Sequence, residues 1–569
     1  MPSLLLLLSI IFLGAVPVAA QTMCLHSTGC TRQQVQGFVR ARPGGGLELD
    51  GMTFNFTSVN IPNLHRIEVE AADGQVSVRE PTVFEIADAL CSAQQMGGKV
   101  VRIYVLSHGD GDNYHVNARG GDEVGIALTE RWFVVLDRVI QIAAEFGIRL
   151  VIPFFNTFYI PAWGSSAYYA AWLGQPKANE ALFFTAADQR ALFKQMIGLV
   201  LNRTNTLTEV RYGDDPAILS WEIGNELSDV AHGPYSTAPP PAEWTEDVAA
   251  FIRVHSPSQL IMDGAQFSPA SLSLSGLDLV GRTYYNLLLT EVETDVELVA
   301  AWNAALDTAK SSSTGGPSTL LSKTFVVKEF GLVSANVPNR TIVTPQNPDW
   351  IAAVIAAASS SSSSAGSLLW SLRSHAEEGG FFAHAESGGD IKALHWPGFV
   401  VGAPNYEMEL FELIRSANGI AGPAPVCAPT LEAPISWLGP GSDPPCMQFR
   451  GSPGAAFYEL WAQTDRSQGW VVVSEDVRDY LTPNAAFVSL SGDVLAERLG
   501  VSASLGGNEL AERLGVKNVL QFCLRACADR KSMRLVDDPR TPPSLEWAEQ
   551  AQPCFFNLNG ACLGPLLVS

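Results

Sequence analysis

From about Met52 to Leu372 the chain repeats one pattern, a short apolar run followed by a longer stretch of helical periodicity. The runs are FNFTSV, VVRIYVLS, RLVIPFF, AILSWEI, QLIMD, LVGRTYY, TFVVKEF and SLLWSL. Stretches such as TERWFVVLDRVIQIAAEFG and NPDWIAAVIAAA separate them, with apolar residues recurring at helical spacing. Repeated strand-then-helix units build parallel sheets, and eight in succession match a (β/α)8 barrel. The expected fold class is therefore α/β, a TIM barrel followed by a small C-terminal β-sandwich.

Length favours a second unit. At 569 residues the chain exceeds the ~250 residues of a typical barrel. Beyond Ala421 the texture changes to a Pro-rich stretch, AGPAPVCAPTLEAP, and then to strand-like alternation in AFYELWAQ and GWVVVSEDV. The expected boundaries are a leader at 1–20, the barrel at 21–420, a linker at 421–430 and a sandwich at 431–569. LAERLGV occurs twice there, at Leu495 and at Leu510, which suggests a partly helical insertion. The serine run from Ser359 to Ser364 is read as the fraying end of the helix before the eighth strand.

Hydrophobic residues make up 47% and charged residues 17%, a balance that buries a core rather than leaving the chain disordered. Acidic residues outnumber Lys plus Arg by 58 to 36, for a formal charge of −22. That field repels a phosphate backbone, so nucleic acid is not an expected partner, whereas a neutral polysaccharide is indifferent to it.

The N-terminus, MPSLLLLLSIIFLGAVPVAAQ, has an apolar centre and small residues up to Ala20, as in a secretory leader, although its first residues lack Lys and Arg. Export, with no stable membrane insertion after cleavage, is the expectation. Nine cysteines fit an oxidising destination. Cys24 and Cys30 could close a small loop, and Cys91, inside FEIADALCSAQQMG, is the candidate free buried thiol. Cys523 and Cys527 lack the spacing of a zinc site, so no metal is expected. Asn55, Asn202 and Asn339 begin glycosylation sequons, with Asn55 the weakest because it falls in an apparent strand.

Two runs end in an acid. AILSWEI continues into Gly224, Asn225 and Glu226, and TFVVKEF carries Glu329 just before Gly331. The two glutamates lie 103 positions apart, three βα units, which assigns them to strands four and seven. Both then sit at the C-terminal rim, where barrel enzymes collect their catalytic groups. Two carboxyl groups across a cleft suit glycoside hydrolysis, one donating a proton to the leaving oxygen and the other attacking or supporting the anomeric carbon. A separation of ~5 to 5.5 Å gives retention, and a wider one gives inversion.

WEIGNEL and VVKEFG resemble the acid/base and nucleophile strands of glycoside hydrolase family 5, a retaining group. VVRIYVLSHGDG, LVIPFFNTF and GSLLWSLRSHAEEGGFFAHAE resemble its endo-β-1,4-mannanase branch, and the likeness spans about Met52 to Phe399. The resemblance implies Glu226 as acid/base, Glu329 as nucleophile and Asn225 as the partner of the sugar 2-hydroxyl. It also implies Arg102 as the cation that keeps the nucleophile ionised, Tyr285 as a hydrogen-bond partner of the nucleophile, and Trp370 as the sugar platform. His375, His384 and Trp396 either line the cleft or pack its loop. One position departs from the family, Thr283, where a histidine usually precedes the tyrosine by two residues.

The implied activity is that of a secreted, monomeric retaining endo-β-glycosidase acting on β-1,4-mannan without cofactor. β-Glucan or glucomannan is the alternative substrate, and a carbohydrate-binding protein that has lost turnover is the alternative of another class. The tail resembles a fibronectin type III-like module, with Trp437, Trp461 and Trp470 read as its core or else as a sugar-binding face.

Overall fold

The computed structural model describes residues 30–70, 76–118, 125–157, 159–160, 162–228, 239–265, 269–286, 323–332, 348–374 and 407–421. It also describes positions 304, 382 and 394–395 and seven short strands between 435 and 557. The leader, the linker beyond Ala421, both copies of LAERLGV, Asn339, His375, His384 and Trp396 lie outside the described residues.

The barrel closes as its alternating sequence predicts. Its strands are β1 (Phe56–Ile61), β2 (Val100–Ile103), β3 (Arg149–Pro153), β4 (Ile218–Glu222), β5 (Leu260–Met262), β6 (Leu279–Asn286), β7 (Thr324–Leu332) and β8 (Ser364–Leu369). Each pairs in parallel with its sequence neighbours, and β8 pairs with β1 to complete the ring. Each overlaps one of the apolar runs of the sequence; β2 to β5 lie wholly within theirs, whereas β1, β6, β7 and β8 extend beyond.

Helices cover the outside: α1 (Val83–Gln95), α2 (Glu130–Glu145), α3 (Ala187–Leu201), α4 (Ala242–His255), α5 (Pro348–Ser359) and α6 (Glu407–Ala417). The start of α1 is fixed by a capping box, in which Thr82 accepts from the Glu85 amide while the Glu85 carboxylate accepts from that of Thr82. Among the described residues no helix is long and apolar enough to cross a membrane.

Alternation along the strands divides the apolar residues into two cores. Outward-facing side chains such as Val101, Ile103, Ile218, Trp221, Val327 and Phe330 join the helices in a large outer core. Inward-facing Val100, Val151, Leu260, Met262, Leu279, Val326 and Leu368 fill the barrel, closed below by Leu47 and Phe54 of the N-terminal segment. This floor supports the layer of side chains two residues further along each strand.

Four expectations are corrected. Cys91 is not free: it forms a disulfide with Cys30, which ties the N-terminal segment to α1, so Cys30 does not pair with Cys24. The serine run is not a frayed end either, because α5 stops at Ser359 and Ser364 already opens β8. Between them Ser361 and Ser363 are buried, and the Ser360 hydroxyl donates to the Ala357 carbonyl to terminate the helix. Asn55 lies ahead of β1 rather than in it, and is exposed.

The tail contributes two antiparallel sheets. Ile435–Leu438, Cys446–Arg450 and Ala486–Ser489 form one, and Val471–Val477, Phe457–Gln463, Gln521–Cys527 and Phe556–Asn557 form the other. Their side chains, those of Trp437 and Trp461 included, and the packing expected of a sandwich lie outside the described residues, as does Trp470.

Candidate active site

β4 ends at Glu222, and the backbone that follows is held on both flanks. The Asn225 amide donates to the Phe155 carbonyl beyond β3 at 2.8 Å, and the Leu227 amide donates to the Gly264 carbonyl beyond β5 at 2.9 Å. This approach needs glycine at 224, where a Cβ atom would meet Leu227 Cδ2 at 2.6 Å and the Phe155 carbonyl oxygen at 3.0 Å. Between the two anchors Glu226 adopts φ 46°, a left-handed conformation uncommon outside glycine. Strain of this kind costs on the order of 1–3 kcal/mol and persists only where the surroundings enforce it. The apolar run thus ends in residues that the rim, not the core, requires.

Arg102 organises the site from the end of β2. Its guanidinium is fully buried, Nη1 lying 2.5 Å from Glu329 Oε1 on β7 and Nε 2.6 Å from Glu222 Oε2 on β4. Nη2 donates to Asn225 Oδ1 at 2.7 Å and to Glu222 Oε1 at 3.2 Å, and Nη1 also reaches Asn60 Oδ1 at 3.2 Å. Burial disfavours the cation, but Glu222 and Glu329 outweigh it and hold Arg102 charged well above its ordinary range. Because the Asn225 carbonyl oxygen is engaged by Arg102, its amide nitrogen is the end left to donate elsewhere.

Glu226 has the opposite electrostatics. Burial first, and then the negative charge of Glu329, push its carboxyl up to about 7, against the pull of Lys328, Arg102 and the Thr283 hydroxyl. Glu226 and Glu329, far apart in sequence, therefore act on each other within one cluster. Thr283 is paired in register with Glu329 and its hydroxyl favours the ionised form of Glu226, so this departure from the family pattern sits beside both acids.

Three members of the cluster escaped the sequence reading. Glu222 is fully buried between Arg102 and Lys328, whose ammonium is 3.1 Å from Glu222 Oε1. Asn60 on β1 donates to the Lys328 and Leu368 carbonyls, each at 3.0 Å, joining β1 to β7 and β8 while its oxygen faces Arg102. The signal was present: Glu222 and Lys328 are charges placed inside otherwise apolar strands, where only a partner makes burial tolerable.

An aromatic wall completes the rim. Trp370 follows β8, and Tyr104 follows β2 with its ring centroid 5.8 Å from that of Trp370 and 4.9 Å from that of Trp163. Asn156 Nδ2 donates to the Tyr104 hydroxyl at 3.0 Å, and Trp163 Nε1 donates to Glu68 at 2.7 Å. Behind the wall, burial pushes His65 and His108 down to about 3, so both imidazoles stay neutral and offer no proton near neutral pH. Tyr285 lies on β6 opposite Gly331, but its side chain is outside the described residues.

Several known proteins are similar to this chain over part of its length. Residues 50–277 match the family model described as glycoside hydrolase family 5 beta-mannosidase-like. The chain is 29% identical over 221 residues to mannan endo-1,4-beta-mannosidase 5 of Solanum lycopersicum, covering 38% of this chain and 48% of that protein. It is 26% identical over 353 residues to mannan endo-1,4-beta-mannosidase 1 of the same plant, covering 58% and 82%. The matched part thus spans about half the length of the first of these relatives. A solved endo-1,4-beta-mannanase from Rhizomucor miehei aligns over 68% of this chain and 100% of its own, at 20% identity and a TM-score of 0.49. Over residues 50–277, the chain is similar to glycoside hydrolase family 5 beta-mannosidase-like proteins.

Proposed function

We propose that this protein is a secreted retaining endo-β-glycosidase that hydrolyses β-1,4-mannan. Glu329 attacks the anomeric carbon while Glu226 donates its proton to the leaving oxygen; Glu226 then takes a proton from the water that releases the sugar from Glu329. The observation that carries this proposal is the contrast between the two acids: Arg102 is ion-paired to Glu329, and Glu226 keeps its proton to about pH 7. Asn225, with its oxygen turned to Arg102, donates from its amide to the sugar 2-hydroxyl. Trp370 supplies the apolar platform beneath the sugar ring, and Tyr285 bonds the nucleophile.

Mannan is the proposed substrate because the plant relatives are mannan endo-1,4-beta-mannosidases. Export is supported by the apolar leader and by the Cys30–Cys91 disulfide, a bond that persists in oxidising compartments. The barrel is taken as residues 21–420 and acts as a monomer, with the tail as an appended module.

Product analysis tests this directly. Mannan incubated with the purified protein should yield oligosaccharides whose first-formed anomer is β, seen by proton NMR before mutarotation. Cleavage of β-glucan with mannan left intact would overturn the substrate, a first-formed α anomer would overturn retention, and binding to mannan without any cleavage would favour a non-catalytic lectin-like role.

A further inference from the structure

Lys328 has no part in the chemistry proposed above, yet the fold goes to some length to place it. It precedes Glu329, and on a regular strand neighbouring side chains point to opposite faces. β7 is irregular here. Its pairing with β6 steps from Val327 with Arg282 to Glu329 with Thr283, and its pairing with β8 steps from Val327 to Phe330. One extra residue on one strand is a β-bulge, a device that re-aims side chains. Val327 and Phe330 pack outward, while Lys328 and Glu329 both meet the Arg102 and Glu222 cluster.

The lysine has a slot of its own. A Cβ atom on Gly281 of β6 would lie 2.5 Å from Lys328 Cγ, so the missing side chain makes room for the stem. The ammonium then donates to Glu222 Oε1 at 3.1 Å and to the carbonyls of Asp263, Gly264 and Ala265 at 3.3, 3.2 and 3.2 Å. Lys328 and Glu222 are both fully buried.

The charges around Glu226 explain why a pair is needed. Glu329 and Lys328 face it from β7, Arg102 from β2 and the Thr283 hydroxyl from β6; Tyr104 beyond β2 senses both acids, and Asp263 beyond β5 faces Lys328 and Glu222. The ion-paired part of the cluster sets two cations, Arg102 and Lys328, against two carboxylates, Glu222 and Glu329. Ionising Glu226 adds an uncompensated negative charge where charge is poorly solvated. Of the two cations that oppose this cost, Lys328 has the larger effect on Glu226.

We propose that Lys328 and Glu222 form a positioning and charge-balancing pair for the acid/base: Lys328 sets the proton affinity of Glu226, and Glu222 locks Lys328 and Arg102 together. The proposal rests on the glycosidase reading for its consequence in catalysis, but the titration it describes belongs to the free protein.

The test uses the full-length secreted chain with 13C-labelled glutamate, titrated by NMR, the Glu226 signal being identified by its loss in Glu226→Gln. The pH profile of kcat/KM on mannan is recorded beside it. Lys328→Met should raise the Glu226 midpoint by about one pH unit, and Glu222→Gln should lower it, the alkaline limb of the activity profile moving with each. Opposite displacements are the signature, since mere loosening of the barrel would move both variants the same way.

If Lys328→Met does not fold, Lys328→Gln keeps a donor for the carbonyls, removes the charge and should give the same upward displacement. An unmoved midpoint in the lysine variant that folds, or displacement of both sites in one direction, would refute the pair's role. A midpoint that moves as expected in a protein that cleaves no glycan would uphold the pair and sink the glycosidase reading instead.

Discussion

Two layers of the same barrel, about two residues apart along the strands, obey opposite rules. The lower one, Val100, Val151, Leu260, Met262, Leu279, Val326 and Leu368, is apolar and buried. The upper one, Asn60, Arg102, Glu222, Lys328 and Glu329, is equally buried but carries two cations and two carboxylates. Apolar burial stabilises at roughly 25 cal/mol per Å², whereas buried ions return their desolvation cost only with close partners. The lower layer therefore holds the fold, and the upper layer is tolerated because each charge has a partner. Removing side chains from the two layers should have effects of different kind as well as size.

The largest effect belongs to the acids. Glu329→Gln and Glu226→Gln should each lower kcat on mannan by roughly 10³-fold or more, because each removes a group that the two-step mechanism uses directly. A Glu329→Gln enzyme of undiminished kcat would refute its role as nucleophile. Arg102→Met comes next, leaving Glu222 with Lys328 alone and Glu329 without its ion pair; breaking a buried pair typically costs about 3–5 kcal/mol. Urea denaturation should show that loss, and kcat should fall with it, since the nucleophile is no longer held.

The floor gives the contrasting result. Leu260→Ala should cost about 2–5 kcal/mol in the same urea experiment while turnover per folded molecule stays within about twofold. If Leu260→Ala lowered kcat as far as Arg102→Met does, the two layers would not be separable and the comparison would fail. Replacing Cys30 and Cys91 by serine lies in a similar range, roughly 2–4 kcal/mol, because it frees a loop of 61 residues in the unfolded chain. Here too kcat should hold.

The smallest effect is one of pH. The Glu226 carboxyl holds its proton to about 7 in the folded protein and only to about 4.5 in the unfolded chain. The native state therefore binds the extra proton between those values, so this group's contribution to stability falls as pH rises across that window. Activity follows the same proton: kcat/KM should decline above about pH 7, with Thr283→Val moving that limb slightly upward by removing a hydroxyl that favours the ionised form. A limb unchanged in Thr283→Val would mean that the hydroxyl plays no part in tuning the acid.

The strands and the two acids were legible because each leaves a local signature. Alternating apolar runs name the barrel strands, and WEIGNEL and VVKEFG each carry an acid toward the end of such a run, Glu226 four residues beyond β4 and Glu329 within β7. Glu222 and Lys328 carry the same kind of signature, yet their purpose was not readable, since each makes sense only against Arg102 and the carbonyls beyond β5. Cys91 failed for a similar reason: its partner lies 61 positions away in sequence, and a helical pattern says nothing of what packs on the helix. The serine run misled because composition suggests disorder, whereas here the Ser360 hydroxyl donates to the Ala357 carbonyl and the Ser363 amide donates to the Ser361 hydroxyl, with Ser361 and Ser363 buried.

By itself the sequence determined the eight-unit order, the barrel that this order closes into, and the placing of Glu226 and Glu329 at one rim, since all three follow from periodicity and chain direction. Only the tertiary structure decided that Arg102 reaches both Glu222 and Glu329, that a bulge brings Lys328 inward beside the second acid, and that Cys30 meets Cys91. Those facts depend on distances of a few ångströms between residues tens to hundreds of positions apart, and a charge has no defined cost or role until its neighbours in space are known.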